Sequence, residues 1–502
     1  MNTNEVSRRS FIKKATALSA AASAMPTILT SVQGSAKAAA PKRVSASDRV
    51  NLALVGIGYQ GQADAQQFMR SGLCNIVALC DVDMGAPHTL DIMNACPNAP
   101  RFNDFRQMFD KMGNQIDAVQ VATPDHSHFV VAMHAMKLGK HVYVEKPLAR
   151  TFLECELLME AERKYGVVTQ MGNQGHSGEN YWQFKAWTEA GIIKNVTSVV
   201  AHMNQDRRWH PWNSKMTSYL PGEPVPPTMN WDAWMAATHP RAYNKDYHPG
   251  QWRGWYEYGT GCLGDWGAHL IDTVHEFLKL GLPYEVDPTY LLEHNPFFFP
   301  MSSTLIFKFP ERTASGGPVV SGGGGGPRGS SNLPACTISW YDGIDNFAPV
   351  PEGFGGSVRQ DADIPPPGGV QQPQRTRRPA TGKEIFSETL NFKGGSHAAP
   401  LSIFPDEKAK EMEKNLPKVP PPPSNHYENF LKACLGLERA NSPFSVSGLL
   451  AQTFCLGVAA QWTGKKVVFD RETKQIINNP QANQMLWGQV PRKEYVHYYG
   501  VV

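Results

Sequence analysis

Short apolar runs alternate with amphipathic stretches through the first third of the chain, and then the rhythm changes. Val50–Val55, Ile76–Cys80, Ala118–Val121, His141–Val144 and Val167–Met171 predict strands; Gln60–Arg70, Asp104–Lys111, Phe129–Leu138 and Phe152–Tyr165 between them predict helices. Strands that are apolar throughout, separated by helices, indicate βαβ units and a parallel sheet covered on both faces. Right-handed crossovers then place a ligand at the carboxyl ends of the strands.

Beyond residue 171 a helix is predicted near Tyr181–Ala190, a strand near Thr197–Met203, and then a long aromatic region rich in Pro and Gly. A helix at Leu263–Leu278, strands at Thr304–Phe309, Thr337–Tyr341 and Val467–Asp470, and helices at His426–Leu437 and Leu449–Trp462 complete the pattern. The expected fold is α/β: an N-terminal Rossmann domain over 48–171, then an α+β domain over 172–502 with a largely antiparallel sheet. Thr313–Ser331, rich in Gly, and Ile364–Thr381, rich in Pro, Gln and Arg, read as surface inserts, and Pro417–Pro423 as a stiff connector.

Composition adds little to that picture. The chain has 502 residues, is 41% hydrophobic and carries a formal net charge of +3, an ordinary globular balance with no pull toward nucleic acid. The eight cysteines are scattered without a C-x-x-C pair, so neither a zinc site nor a disulfide framework is expected, and no metal is assigned. No stretch reaches spanning length apart from the N-terminal one, so no membrane insertion is expected once that segment is cleaved.

The N-terminal segment carries a different message. Ser7-Arg8-Arg9-Ser10-Phe11-Ile12-Lys13, the mild apolar stretch Ala15 to Leu29 and the small-x-small site Ala36-Lys37-Ala38 resemble a twin-arginine export signal over residues 1–38. That resemblance implies transport of an already folded protein to the periplasm.

The first predicted strand ends in Gly56-x-Gly58-x-x-Gly61, which opens the first helix, and Asp81 follows twenty residues after Gly61 at the end of the next strand. Glycines allow the tight turn and let backbone N–H groups approach a pyrophosphate at the helix N-terminus, while the acid accepts from the ribose hydroxyls. Asp83 lies two residues on and no arginine stands beside the pair, so NAD is favoured over NADP. Tyr59 and Gln60 fall inside the same turn.

Taking a hydride from a secondary alcohol requires a base for the hydroxyl proton and a donor to hold the oxygen. Lys146, just past the fifth strand, can hydrogen-bond the reacting oxygen and relay its proton. Asp265 and His269 are four residues apart on a predicted helix and share a face, so one can orient the other, with His269 as general acid/base.

Three blocks carry a family resemblance. Thr123-Pro124-Asp125-His126-Ser127-His128, Glu145-Lys146-Pro147 and the Gly259–Asp272 segment, with the glycine fingerprint, resemble the glucose–fructose oxidoreductase/inositol dehydrogenase (Gfo/Idh/MocA) family over roughly residues 48 to 280. The resemblance implies that Lys146, Asp265 and His269 form the catalytic trio and that Thr123, His128, Glu145 and Asn173 line the cofactor. It also implies a homo-oligomer built on the open antiparallel sheet.

On the substrate side, seven of the twelve tryptophans lie between Trp209 and Trp266. Aromatic faces beside polar groups suit sugar rings, although packing of loops onto the sheet accounts for any single ring equally well. Trp209, His210, Arg253, His176 and Asp272 are the expected substrate residues, Asp272 with a structural role as the alternative. The leading expectation is an exported NAD-dependent oxidoreductase acting on a sugar or glycoside hydroxyl. Two alternatives stand beside it. One is a redox glycosidase working through a 3-keto intermediate, with His176 or His210 as an additional base. The other is a non-catalytic sugar-binding protein.

Overall fold

The computed structural model describes residues 49–205, 212–317, 332–343, 345–355 and 381–500. The N-terminal segment that resembles an export signal, Trp209, His210 and most of both inserts lie outside the described residues.

The first sheet is built from β1 (Val50–Val55), β2 (Cys74–Cys80), β3 (Arg101–Phe102), β4 (Ala118–Val121), β5 (His141–Glu145) and β6 (Thr169–Gly172). All its pairings are parallel, in the order β3-β2-β1-β4-β5-β6, the doubly wound arrangement that binds dinucleotides where the strand order reverses. The helices around it are α1 (Gln60–Ser71), α2 (Leu90–Ala95), α3 (Phe105–Met112), α4 (Asp125–Lys137) and α5 (Phe152–Tyr165). Asp104 caps α3, its side chain accepting from the Arg106 N–H, and Thr151 with Glu154 forms a capping box on α5, so local chemistry sets both starts.

α4 begins four residues earlier than the pattern predicts. Asp125, His126, Ser127 and His128 look like a polar loop, yet all four are buried, because the second domain covers this turn.

The second domain begins with α6 (Glu179–Glu189) and β7 (Val196–Met203), followed by α7 (Trp231–Met235) and the pair α8 (Gly261–Leu270) and α9 (Asp272–Phe277). One helix is predicted over Leu263–Leu278; two form, divided at Ile271. Then come β8 (Glu285–Leu292), β9 (Ser302–Phe309), β10 (Cys336–Asp342), β11 (Thr381–Ser387), β12 (Asn391–Gly394), β13 (Ser402–Phe404) and α10 (Asp406–Met412). The chain ends through α11 (His426–Cys434), α12 (Phe444–Thr463), β14 (Val467–Asp470), β15 (Gln475–Ile476) and α13 (Asn483–Trp487). The sheet runs β13-β12-β11-β7-β10-β9-β8-β14-β15 and is antiparallel at every pairing except β7 with β10. β8 and β11 escape the sequence pattern, since β8 carries Pro288 at a register shift and β11 carries Lys383 and Glu384 instead of an apolar run.

α12 corrects the expectation that no apolar segment beyond the signal reaches spanning length. It is long and apolar enough by length and composition to cross a membrane, but 83% of its most apolar 18-residue window is buried inside the protein. Its Leu456, Ala459 and Ala460 share one continuous core with Leu263, Leu270 and Leu157, so it fixes α8 relative to α5.

The C-terminal part of the chain returns to the first domain. Phe430, Leu431 and Cys434 of α11 join Leu52, Leu54 and Phe68 in a second core, and the Tyr427 hydroxyl donates to Asp64 Oδ1 at 2.8 Å. Past α13, the Tyr499 hydroxyl donates to Glu154 Oε1 at 2.7 Å on α5. Truncating fully buried Phe430 to Ala should therefore cost about 3–5 kcal/mol, read as a lower urea midpoint.

Candidate active site

At the end of β1 the chain turns through Gly56, whose φ of +82° suits glycine and whose Cβ, were one present, would strike the Ala122 carbonyl. A Cβ on Gly61 would strike the Gly56 carbonyl oxygen, so only glycine lets α1 start this close to β1. Tyr59, at the N-cap of α1, holds a φ of +48° and is 66% exposed. The Gln62 N–H donates to the Gly58 carbonyl at 3.3 Å, and the start of the helix is where the pyrophosphate is expected.

Asp81 lies at the carboxyl end of β2, buried, with Oδ2 accepting from the Ile57 N–H and Oδ1 from the Asp83 N–H, both at 3.1 Å. Burial works to raise its carboxyl, but His88, 3.5 Å away, and these backbone donors prevail and hold it below the usual carboxylate range. An ionised carboxylate has lone pairs left for ribose hydroxyls. His88 is raised in turn by its bond to Asp81. It is a partner of Asp81 that sequence reading missed, because it reaches Asp81 from seven residues further along. Asn173 Oδ1 is buried without a hydrogen-bond partner among the described residues. The glycine turn, the ionised acid and this orphaned acceptor fit NAD.

Lys146 leaves β5 with its ammonium 2.6 Å from Asp265 Oδ1 and 3.2 Å from the Asp265 carbonyl. Arg253 Nε stands 3.6 Å from the same Asp265 oxygen, while Arg253 Nη1 donates to Asp125 Oδ1 at 2.9 Å. The Thr260 hydroxyl completes this buried group by donating to Asp125 Oδ2 at 2.6 Å. The structure thus joins Lys146, Asp265 and Arg253, and adds Asp125, which the sequence reading quoted in its block without giving it a role.

His269 is on the same helix as Asp265, one turn further on. Asp265 turns to Lys146 and Arg253; the His269 ring lies parallel to that of His397, with centroids 3.9 Å apart, and Trp266 meets both rings edge-on. The His397 N–H donates to the His269 carbonyl at 3.0 Å. His397 follows Gly394-Gly395-Ser396 after a short strand, and nothing in that local sequence marks it as part of the site.

The other expected cofactor residues have well-defined partners. Both His128 ring nitrogens lie within 2.8 Å of backbone carbonyls, those of Pro147 and Thr123, so this ring links the turn after β5 to the one after β4. Glu145 accepts from Gln174 Nε2 at 2.7 Å, and burial followed by the neighbouring Asp64 charge raises its carboxyl well above the usual range. Thr123 Oγ1 accepts from the Ser127 hydroxyl at 2.8 Å.

His176 is the clearest change. Its Nδ1 is 3.2 Å from Asp272 Oδ2 and its Nε2 is 2.7 Å from Glu276 Oε2, all beneath α9. Burial opposes its charge, but the two carboxylates raise it to about 9. Held between two carboxylates, the His176 ring favours the protonated form at neutral pH, and Asp272 is its partner. The tryptophan-rich region is also mostly packing. Trp234 and Trp255 are fully buried, Trp231 stacks on Trp234 at 4.4 Å, and Trp212 meets Trp255 at 4.6 Å. Trp209 and His210 lie outside the described residues.

Two family models match the chain: an oxidoreductase family NAD-binding Rossmann fold over residues 50–173 and an oxidoreductase family C-terminal alpha/beta domain over 183–287. The chain belongs to the Gfo/Idh/MocA oxidoreductase family. As in that family, its cofactor is NAD. A glycosyl hydrolase family 109 protein of Shewanella pealeana is 32% identical over 226 residues, 41% of this chain and 47% of that protein. Inositol 2-dehydrogenase of Salmonella paratyphi B is 31% identical over 144 residues, 28% of this chain and 41% of the enzyme. The chain spans about half the length of the curated relatives it matches. Among solved structures, the WlbA dehydrogenase of Bordetella pertussis, complexed with NADH and UDP-GlcNAcA, shares the fold: TM-score 0.50, 14% identity, 84% of this chain and 99% of that one.

The His176 ion pairs carry a pH signature. Unfolding returns the ring from about 9 to its ordinary 6.5, so its stabilisation is complete below about pH 6.5 and fades as pH rises through about 9. Urea midpoints measured from pH 6 to 10 should show wild type losing its margin over H176Q across that window; parallel curves would refute the charged ring.

Proposed function

We propose that this protein is an exported NAD-dependent enzyme that oxidises a secondary hydroxyl of a sugar or glycoside. The observation carrying this reading is the Lys146–Asp265 pair at 2.6 Å, formed where the carboxyl end of β5 meets α8, with His269 one helical turn further on. Bound NAD supplies the hydride acceptor. Lys146 donates a hydrogen bond to the substrate oxygen, where negative charge develops as its proton leaves. Asp265 and Arg253 keep the ammonium in place. His269, braced by His397, accepts the hydroxyl proton. An uncharged sugar suits this site, since the Arg253 guanidinium is already paired with Asp125 and Asp265.

The twin-arginine segment motivates the export reading, together with retention of NAD by the folded protein, because a periplasmic enzyme has no free pool from which to refill. Copies of the chain are expected to associate through the open face of the nine-stranded sheet.

The similarity to glycosyl hydrolase family 109 proteins favours a second reading, in which the same oxidation is transient and a glycosidic bond is eliminated before hydride returns. Incubating the mature protein, without added NAD, with a chromogenic glycoside in deuterated water separates the two. Aglycone release with deuterium at C2 supports the glycosidase, and keto-sugar formation without release supports net oxidoreduction. Absence of both, even with NAD and an acceptor, would leave only a binding protein. In either enzyme, K146A and H269Q should each lower kcat by about 10²–10⁴-fold.

A further inference from the structure

The loop after β2, where the adenosine ribose is expected to bind Asp81, is covered by a segment of the second domain. The Asn230 N–H donates to the Val82 carbonyl at 2.7 Å, and the Thr228 hydroxyl donates to Asp83 Oδ1 at 2.6 Å. Asp83 and Met229 form an isolated antiparallel bridge. Val82 packs against the aromatic cluster of Trp231, Trp234, Tyr243 and Trp255, so the covering segment is anchored in a core of its own.

The same aromatic core carries His248, whose carbonyl accepts from the Tyr243 hydroxyl at 3.4 Å. Its ring meets the His88 ring edge-on at 6.1 Å and the Trp234 ring at 5.9 Å. Both His248 ring nitrogens are shielded from solvent and have no hydrogen-bond partner among the described residues. A shielded imidazole with neither nitrogen satisfied costs free energy unless a ligand meets it. Burial lowers its pKa to about 4, outweighing the nearby Asp81 carboxylate, so the ring is neutral and offers one donor and one acceptor. On the other side, the exposed Tyr59 ring stacks on His88 with centroids 5.3 Å apart. His88 itself touches both Asp81 and the glycine turn, since a Cβ on Gly58 would strike its ring.

We propose that His88 and His248, one from each domain, form with Tyr59 a clamp on the adenosine half of NAD that determines how long the cofactor stays bound. His248 satisfies its ring nitrogens on polar atoms of the adenosine, and His88 fixes the Asp81 carboxylate for the ribose hydroxyls. Trp234 and Tyr243, in the aromatic core against which Val82 packs, hold His248 there, and the strap of residues 228–230 ties that core to the β2 loop, so release of NAD requires the second domain to lift from this loop. This rests on the NAD assignment and adds residues from outside the glycine fingerprint and Asp81.

The test compares three probes on the nucleotide-stripped protein: NADH, AMP and reduced nicotinamide mononucleotide, which lacks the adenosine. Affinity and dissociation rate are followed by fluorescence or calorimetry. H248A and H88A should each weaken NADH and AMP by about tenfold or more, mainly through faster dissociation, while mononucleotide binding stays close to wild type. H248Q, which keeps bulk without the ring, and T228V, which cuts the strap's bond to Asp83, should also speed NADH release. Unchanged NADH and AMP binding in H248A and H248Q would overturn the clamp, as would equal losses for all three probes. A wild-type protein that binds none of the three would instead count against the NAD reading itself, and the clamp would fall with it.

Discussion

Two buried ion pairs across the domain junction, Lys146 with Asp265 and Arg253 with Asp125, are the interactions on which the rest of this structure depends. Each takes one charge from the first sheet's loops and the other from the second domain. Such pairs return little net stability against apolar packing, but losing one partner strands a buried charge at a cost of about 3–5 kcal/mol. The junction therefore favours one relative placement of the domains. That placement also sets the Lys146 ammonium, so assembly and the proposed chemistry share the same atoms.

The surrounding packing reinforces this placement. α12, buried along most of its length, ties α8 to α5, and α11 lays Phe430 and Leu431 onto the opposite side of the parallel sheet. The second domain therefore contacts the first through its core helices, through the strap over the β2 loop and through the chain's last residues.

Charge is distributed unevenly through the site. Asp81 stays ionised because His88 and two backbone N–H groups offset its burial, whereas Glu145 is raised beside Asp64. His176 is kept protonated by Asp272 and Glu276, and His248 is kept neutral by burial. Four histidines are therefore set differently: His269 and His397 stack on each other, His176 lies between two carboxylates, and His248 is a neutral ring.

The sequence by itself determined the parallel sheet, the glycine turn, Asp81 and Lys146, because these follow from local rules: apolar strand runs, backbone permissiveness and position at a strand's end. Sequence also placed Asp265 and His269 on one helix, but spacing shows only that two side chains share a face, not whether they bond. Tertiary structure decided that Asp265 turns to Lys146, that His397 supports His269, and that His176 is locked as a cation. It also decided that the polar start of α4 is buried, and that β11 forms a central strand despite its charged residues. Each of these depends on partners distant along the chain, as with Asp125 and Arg253, 128 residues apart, or His176 and Asp272, 96 apart. No local pattern encodes such a meeting; only the packed arrangement of both sheets brings the charges close enough to choose each other.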